Sequence, residues 1–348
     1  MKQTTMTCGC KKLLGMIATV AAISVSQTAV AKDKDGKFLI GVAEISNADM
    51  RWAFDEAAMR AEAEKQGVSI IFQSANNDPT KQIAQVENML NQSVDVIILD
   101  PVNTATGGAI VDKVQSAGIP VVAYDAGITN AKPEYTVTRD NYQVGVLQAQ
   151  EALKFAPSGN YAFIKGDPIW QGYDLVVKGY EDTLIGKEGV NIIFDQNANW
   201  DPIKAQSLAE NALSANQDNL AAIISMNDAM AAAIVQAVVS EGLAGKIFVS
   251  GLDANPAALQ LIANGAQSMT VYTDLNEFGS TAVKAAAALV KGETLPPSEM
   301  IDFGAGDVPT HLISPMAITG DNLCDSLKKL PEGWTTVEEV FGKADACN

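Results

Sequence analysis

The chain has 348 residues, of which 47% are hydrophobic and 19% are charged, and its formal net charge at pH 7 is −17. This length and composition predict about two globular domains and argue against an intrinsically disordered protein. Nucleic-acid binding is disfavoured, because an acidic chain lacks the basic surface that neutralises phosphates.

The first 31 residues have the order of a secretory signal. Lys2, Lys11 and Lys12 precede the apolar run LLGMIATVAAISV, and the small residues AVA precede Lys32. This order is typical of a cleaved export signal. We therefore expect residues 1–31 to be removed and the mature chain to be soluble and exported. Its formal charge would then be −20, because the segment holds three lysines and no acidic residue. No later segment has about 18 uninterrupted apolar residues, so no membrane insertion is expected.

Short β-rich runs alternate with helical stretches from Lys37 onward. In chain order the runs are FLIGVAEI, VSIIFQSA, VDVIILDP, IPVVAYDA, YAFIKGDP, VNIIFDQN, LAAIISMN, GKIFVSGLD and SMTVYTD. Amphipathic segments such as PTKQIAQVENMLNQS lie between them. This alternation predicts an α/β fold of βαβ units, with parallel sheets and helices on both faces.

Three interruptions of this spacing predict two lobes, each discontinuous in sequence, joined by strands that cross between them. They fall at EYTVTRDNYQVG, at VYTDLNEFG and in the Pro- and Gly-rich stretch before THLISP. We expect crossings near residues 137–140, 272–275 and 304–312. The expected lobes are residues 37–138 plus 275–306 for the N-terminal lobe and 139–273 plus 310–348 for the C-terminal lobe.

Signals for catalysis are poor in this sequence. His311 is the single histidine, and its apolar context THLISP is more typical of a structural residue. There is no nucleophile elbow, Walker A loop, paired-cysteine metal motif or G-x-G-x-x-G after the first strand. The segment DKDGK at 33–37 lacks the remaining positions of a calcium loop. We expect no enzymatic activity, no cofactor and no metal.

Two of the four cysteines, Cys8 and Cys10, lie in the signal, which leaves Cys324 and Cys347 in the mature chain. In an oxidising compartment we expect them to form a disulfide that closes the last segment and contributes roughly 3 kcal/mol. Two free thiols are the alternative.

Polar and aromatic side chains follow the predicted strands where each strand ends. They are Trp52, Asp125, Asp167, Trp170, Trp200, Asn227, Asp253 and Thr273. Ligands of open α/β sheets bind at these carboxyl ends. An indole offers a flat apolar face to the C–H groups of a sugar or polyol, and Asp and Asn can bind its hydroxyls. The alternative is that Asp201, Asp228 and Asp253 are helix caps and that the tryptophans fill the core.

The stretch IISMNDAMAAAIVQAV changes from a β-rich run to an Ala-rich run at Asn227-Asp228. A helix that begins near Ala229 would use Asp228 as its N-cap. Asn227 would then project beyond the strand and face the ligand.

Several longer stretches carry a family resemblance. They are QSANND, QIAQVENMLNQSVDVIIL, GVLQAQEAL, NALSAN, SMNDAMAAAIVQAV, VSGLDA and QSMTVYTD. In these the chain resembles the type I periplasmic sugar-binding proteins of ABC importers, which include ribose-, galactose- and xylose-binding proteins, and it is most similar to the xylose-binding members. The resemblance covers nearly all of the mature chain. It implies two Rossmann-like lobes with parallel sheets, joined by a three-strand hinge, that close on a sugar.

The resemblance also implies roles for individual residues. Trp52 and Trp200 would pack on opposite faces of the sugar, and Asp125 would be the polar residue that ends the fourth strand. Asn227, Asp253 and Thr273 would bind hydroxyls. The expected ligand-binding set is completed by Arg51, Asn141, Asp167 and Trp170.

Departures from the family pattern argue against a copy of a xylose site. Ala126 follows Asp125 where relatives usually have Arg, Thr273 stands where xylose-binding proteins have Lys, and Trp170 replaces a residue that is commonly polar or charged. The arginines are Arg51, Arg60 and Arg139, of which only Arg51 is expected in the cleft. Trp334 is expected outside it. A neutral sugar or polyol fits this set better.

The sequence therefore predicts a monomeric periplasmic protein that captures a neutral sugar or polyol and delivers it to an ABC permease. One alternative is a sensor that presents its ligand-loaded form to a chemotaxis or histidine-kinase receptor. A second is an exported carbohydrate enzyme. A transcriptional repressor of the same fold is disfavoured, because the segment before the first strand has the pattern of an export signal and contains no helix-turn-helix.

Overall fold

A computed structural model of the protein describes residues 1–2, 36–47, 50–216 and 219–347. The predicted signal, residues 1–31, lies outside the described residues apart from its first two. All nine predicted β-rich runs contain strands. The strands are β1 (Leu39–Glu44), β2 (Ser69–Ser74), β3 (Val96–Leu99), β4 (Val121–Asp125), β5 (Tyr135–Arg139), β6 (Gly159–Lys165), β7 (Val190–Asn197), β8 (Ala222–Ser225), β9 (Phe248–Val249), β10 (Met269–Thr273), β11 (Glu299–Asp302), β12 (Asp307–Ile313) and β13 (Pro315–Thr319).

Helices connect these strands, as the amphipathic segments predict. They are α1 (Met50–Gln66), α2 (Pro79–Asn91), α3 (Thr104–Ser116), α4 (Asn141–Phe155), α5 (Tyr173–Leu184), α6 (Pro202–Ala215), α7 (Asp228–Ser240), α8 (Pro256–Ala263), α9 (Leu275–Val290), α10 (Leu323–Leu327) and α11 (Val337–Phe341). Of the described helices, none combines the length and the apolar character needed to cross a membrane.

The strands form two main sheets. In the described residues the first has the order β11-β12-β5-β4-β3-β1-β2, and the second has the order β7-β6-β8-β9. Neighbouring strands are parallel except for the β11–β12 hairpin. Strands β10 and β13 form a separate antiparallel pair. This pair is joined to the end of β9 by backbone bonds such as Ser268 N–H to Val249 O, 3.0 Å. The α/β fold with two parallel sheets is confirmed.

Each face of the first sheet is buried by helices. Ile98 packs in a cluster with Met59 of α1 and Phe278 of α9, whereas Ile97 packs with Val86 of α2 and Val111 of α3. Successive residues of a strand point to opposite faces, so a strand covered on both sides must be apolar throughout. This explains why β3 reads VIIL with all four residues buried.

The chain passes three times between the two sheets. It leaves β5 at Arg139 for α4, which packs on α5, and it leaves β10 at Thr273 for α9, which packs on α1. The third passage runs from β12 to β13. Because β12 pairs with β5 as far as Ile313, this passage falls at Ser314 instead of within residues 304–312.

The C-terminal segment packs against the end of α8. Val340 of α11 and Leu323 of α10 join Leu259 and Ile262 of α8 in one apolar cluster. A disulfide joins Cys324 and Cys347, as the sequence predicts, and closes this segment into a loop.

Candidate functional site

A cluster of paired charges lies where β4, β5 and α1 meet. Arg51, on α1, binds Asp125 through both terminal nitrogens, with Nη2–Oδ1 at 2.9 Å and Nη1–Oδ2 at 3.3 Å. Its Nε donates to Asp55 Oδ2 at 3.1 Å. Asp125 adopts a left-handed backbone (φ 62°) at the end of β4. A planar guanidinium that binds a carboxylate at two points fixes the position of both groups.

Arg139, the last residue of β5, extends this cluster toward the second sheet. Its Nη2 donates to Asp125 Oδ1 at 3.2 Å, and its Nη1 lies 3.5 Å from Asp253 Oδ1. The expectation that Arg51 would be the single arginine of the cleft is therefore wrong. The reason is geometric: Arg139 stands at the point where the chain leaves the first sheet, so its side chain reaches carboxylates of both sheets.

Burial and the two arginines together set the pKa values of the neighbouring carboxyl groups. Burial alone would raise the pKa of Asp125, but the guanidiniums of Arg51 and Arg139 outweigh it and hold that pKa well below its ordinary value. At Asp55 burial prevails, and the pKa rises to about 6 despite Arg51 and a 2.6 Å hydrogen bond from the Tyr124 hydroxyl. Asp125 is thus a permanent anion near neutral pH.

A cavity of about 130 Å³ opens beside this cluster and brings together four predicted site residues, Arg51, Trp52, Asp253 and Thr273. The Arg51 guanidinium lies 4.6 Å from the centroid of the Trp52 ring. The cavity thus combines an aromatic wall with charged and hydroxyl groups contributed by both sheets.

Trp334 also lines this cavity, which corrects the expectation that it lies outside the cleft. Its side chain is only 4% exposed, and its indole Nε1 donates to the backbone oxygen of Ala254 at 2.8 Å. Its ring centroid lies 5.1 Å from that of Phe54 on α1. The disulfide-closed segment folds back far enough to bring this indole to the cleft.

A second cavity, of about 370 Å³, is also lined by Arg139, together with the predicted residues Asp125, Asn141 and Trp170. Trp170 meets Trp200 edge to face, with ring centroids 5.6 Å apart. Two glycines make room for this pair: a Cβ would lie 2.2 Å from Trp200 at Gly166 and 2.3 Å from Trp170 at Gly172.

Two predicted site residues carry buried polar atoms that have no hydrogen-bond partner among the described residues. They are Asn141 Oδ1 and Thr273 Oγ1, each on a residue that lines one of the cavities. Burying a polar atom without a partner costs about 1–3 kcal/mol, so native proteins rarely leave one unsatisfied.

Asn227, and not Asp228 as predicted, is the N-cap of helix α7. Helix α7 begins at Asp228, and the N-cap is Asn227, whose Oδ1 accepts from Met230 N–H at 2.9 Å. Asp228 is buried and accepts from Asn255 N–H at 2.8 Å and from Gln267 Nε2 at 3.1 Å. Burial and then the charge of Asp253 raise the pKa of Asp228 to about 8. The prediction that Asp228 caps the helix is wrong.

Three predicted site residues, Asp167, Trp200 and Asn227, line neither of these two cavities. Asp167 Oδ1 accepts from Ile169 N–H at 2.9 Å, which stabilises the loop before α5. Trp200 contacts Trp170, and Trp170 lines the second cavity. Their ligand-binding roles stay predictions.

The capping alternative holds at one of the three aspartates. Asp201 is the N-cap of α6 and accepts from Ile203 and Lys204 N–H. Asp253 is not a cap, since Asn255 precedes α8. His311 lies on β12, and its Nε2 is 3.6 Å from Glu277 Oε1.

Comparison with known proteins gives a consistent family. The periplasmic binding protein domain family matches residues 40–294. The D-xylose-binding periplasmic protein of Haemophilus influenzae is 34% identical over 330 residues, which cover 94% of this chain and 98% of that protein. The xylitol-binding protein of Mycolicibacterium smegmatis is 28% identical over 319 residues, covering 89% and 86%.

A solved structure shares the fold as well. An ABC transporter solute-binding protein from Bacillus halodurans C-125, with bound myo-inositol, is 30% identical and superposes with a TM-score of 0.72 over 86% of this chain and 100% of that chain. With the two parallel sheets and the cleft between them already described, these matches show that the chain belongs to the periplasmic binding protein family.

Proposed function

We propose that this protein captures a neutral sugar or polyol between its two lobes in the periplasm and delivers it, as a monomer, to an ABC permease. The observation that carries the proposal is the charge-paired cleft. Its arginines are bound to carboxylates, two indoles line it, and its lining residues include buried polar atoms that lack partners within the described part of the chain.

The pairing of charges favours an uncharged ligand. Arg51 and Arg139 contact three carboxylates, those of Asp55, Asp125 and Asp253. An anionic ligand would have to displace one of these or lie beside it, at an electrostatic cost. Hydroxyl groups can both donate to the carboxylates and accept from the guanidiniums, so a polyhydroxylated neutral molecule fits without a change of charge.

The similar proteins support the same ligand class. D-xylose, xylitol and myo-inositol are named for the three relatives described above, and all three are neutral and rich in hydroxyls. The departures at Ala126, Trp170 and Thr273 favour a ligand other than D-xylose itself.

Closure of the lobes follows from where the contacts originate. We assign residues 37–139 with 275–313 to the N-terminal lobe and residues 140–273 with 315–348 to the C-terminal lobe, joined at the three passages between the sheets. Arg51 and Trp52 lie on the first lobe and Asp253 on the second, so the ligand gains all its contacts only when the lobes approach. Small-angle scattering should show a smaller radius of gyration with saturating ligand than without it.

A thermal-shift screen tests the ligand class directly. D-xylose, D-glucose, xylitol and myo-inositol would be compared with D-xylonate and D-glucuronate at equal concentration. A ligand at 100 times its Kd stabilises the folded state by about 2.7 kcal/mol, which gives a measurable rise in Tm. We expect at least one neutral compound to raise the Tm. Stabilisation by the acids alone would overturn the proposal.

A further inference from the structure

We propose that Trp334 of the disulfide-closed C-terminal segment is a positioning residue for the ligand site, because its indole N–H holds the turn that aims Asp253 into the cleft. The expected effect on ligand affinity rests on the proposed function. The structural part of the inference, the control of the turn, can be tested without a ligand.

The turn after β9 has an unusual backbone. Asp253 and Ala254 both have positive φ values, 101° and 54°, although neither is glycine. Side chains with a Cβ adopt this region only at an energetic cost, so surrounding contacts must hold the turn in place.

Four hydrogen bonds within the described part of the chain hold this turn. Three come from within the second lobe: Asp253 N–H to Val271 O at 2.9 Å, Ala254 N–H to Thr270 Oγ1 at 3.3 Å, and Asn255 N–H to Asp228 Oδ2 at 2.8 Å. These three satisfy the donors of the turn. The fourth is donated by Trp334 Nε1 to the carbonyl of Ala254 at 2.8 Å, and it comes from a residue 80 positions further along the chain.

The position of Trp334 is itself fixed by the C-terminal segment. Trp334 is 4% exposed and packs in the cluster that contains Leu323 and Val340. The Cys324–Cys347 disulfide closes the loop in which Trp334 and Val340 lie. Phe54 of α1 packs against the indole from the other lobe. The segment therefore presents a rigid donor to the turn.

The consequence lies at the charged cluster. Asp253 faces Arg139 across the cleft at 3.5 Å and lines the same cavity as Trp334. If the Ala254 carbonyl loses its donor, the strained turn gains freedom to relax, and the Asp253 carboxylate loses its fixed direction. Pre-organised groups bind more tightly because less freedom is lost on binding.

The test compares Trp334→Phe with Val340→Ala. The first variant keeps an aromatic ring in the cluster and removes the N–H donor. The second removes packing from the same cluster, where Val340 is 5% exposed, and keeps the donor. Both should lower the Tm, so a loss of stability alone cannot distinguish them.

The first readout is amide hydrogen exchange of the unliganded protein. We expect Trp334→Phe, and not Val340→Ala, to increase exchange in peptides that cover residues 253–255. Unchanged protection of this turn in Trp334→Phe would overturn the inference, whatever the protein binds.

The second readout is affinity, measured by calorimetric titration with D-xylose, xylitol and myo-inositol. For any of these that the parent binds, we expect Trp334→Phe to raise Kd about threefold to tenfold, the range expected for one lost hydrogen bond, and Val340→Ala to change it less than about twofold. Equal increases in both variants would show a purely structural role and contradict the inference. If the parent binds no neutral compound, the proposed function fails, while the exchange result still decides the role of Trp334.

Discussion

The guanidinium of Arg139, at the end of the fifth strand of the first sheet, lies 3.5 Å from the carboxylate of Asp253, which follows the last strand of the second sheet. The same guanidinium donates to Asp125 at 3.2 Å. One side chain thus connects carboxylates from both sheets at a point where the chain passes between them. This arrangement links ligand contacts to the relative position of the lobes.

Arg139→Lys should weaken ligand binding by about tenfold or more, because a single ammonium group cannot reproduce the geometry of a guanidinium that reaches two carboxylates. Calorimetry with the compound that gives the largest thermal shift measures this. Arg60→Lys is the matched control, since Arg60 pairs with Glu56 on the exposed face of α1. Unchanged affinity in folded Arg139→Lys would remove Arg139 from the site.

Two substitutions of Asn227 separate its capping role from a role in ligand binding. Asn227→Asp keeps an oxygen that can accept from Met230 N–H, so we expect the stability to change by less than about 0.5 kcal/mol, whereas Asn227→Ala should lose about 1 kcal/mol. Urea denaturation measures both.

Affinity then decides whether Asn227 also contacts the ligand. If its amide donates to a ligand hydroxyl, Asn227→Asp should bind less tightly despite its normal stability. Parent-like affinity in Asn227→Asp would leave Asn227 with the cap alone.

The carboxyl group of Glu44 should make stability depend on pH. Burial, followed by the charges of Glu56 and Asp55, raises its pKa from 4.5 to about 7. Between these values the folded state binds more protons than the unfolded state, so the free energy of unfolding should fall as the pH rises.

The effect should be on the order of 2–3 kcal/mol, since one pKa unit corresponds to about 1.4 kcal/mol and Glu44 is only 8% exposed. Glu44→Gln should flatten the dependence between pH 4.5 and 7 in urea titrations. An equally steep dependence in this variant would assign the effect to other groups.

The disulfide should stabilise the folded protein. Replacing both Cys324 and Cys347 by Ser should lower the free energy of unfolding by roughly 3 kcal/mol, the value expected for closing a loop of this length. Titration of the denatured, unreduced mature protein should find no free thiol. Two thiols per chain would show that the bond is absent in solution.

The order of strands and helices could be predicted from the sequence because buried parallel strands are short, continuous apolar runs. The run VDVIILDP, for example, follows an amphipathic helical segment and is therefore interpreted as a buried strand. Local periodicity carries this information, and the structure confirms all nine runs.

The details of the site depend on information that local sequence does not contain. Asn and Asp are equally good N-caps, so the propensities of Asn227 and Asp228 could not place the helix start within one residue. The approach of Trp334 to Ala254 joins residues 80 positions apart. Arg139 could have been recognised from its place at the predicted crossing near residues 137–140, where a long cationic side chain can reach both lobes.

The most direct test of the proposed cleft is a calorimetric titration of the parent, Asp253→Asn and Asp112→Asn with the neutral compound that gives the largest thermal shift. Asn is preferred to Ala at position 253 because the backbone there has φ 101°, a region that Asn tolerates better. Asp112 is exposed on α3 and serves as the control. A charge-assisted hydrogen bond contributes about 1.5–3 kcal/mol, so Asp253→Asn should bind about tenfold to a hundredfold less tightly, while Asp112→Asn binds like the parent. Parent-like affinity in folded Asp253→Asn would contradict a ligand site between the lobes at Asp253.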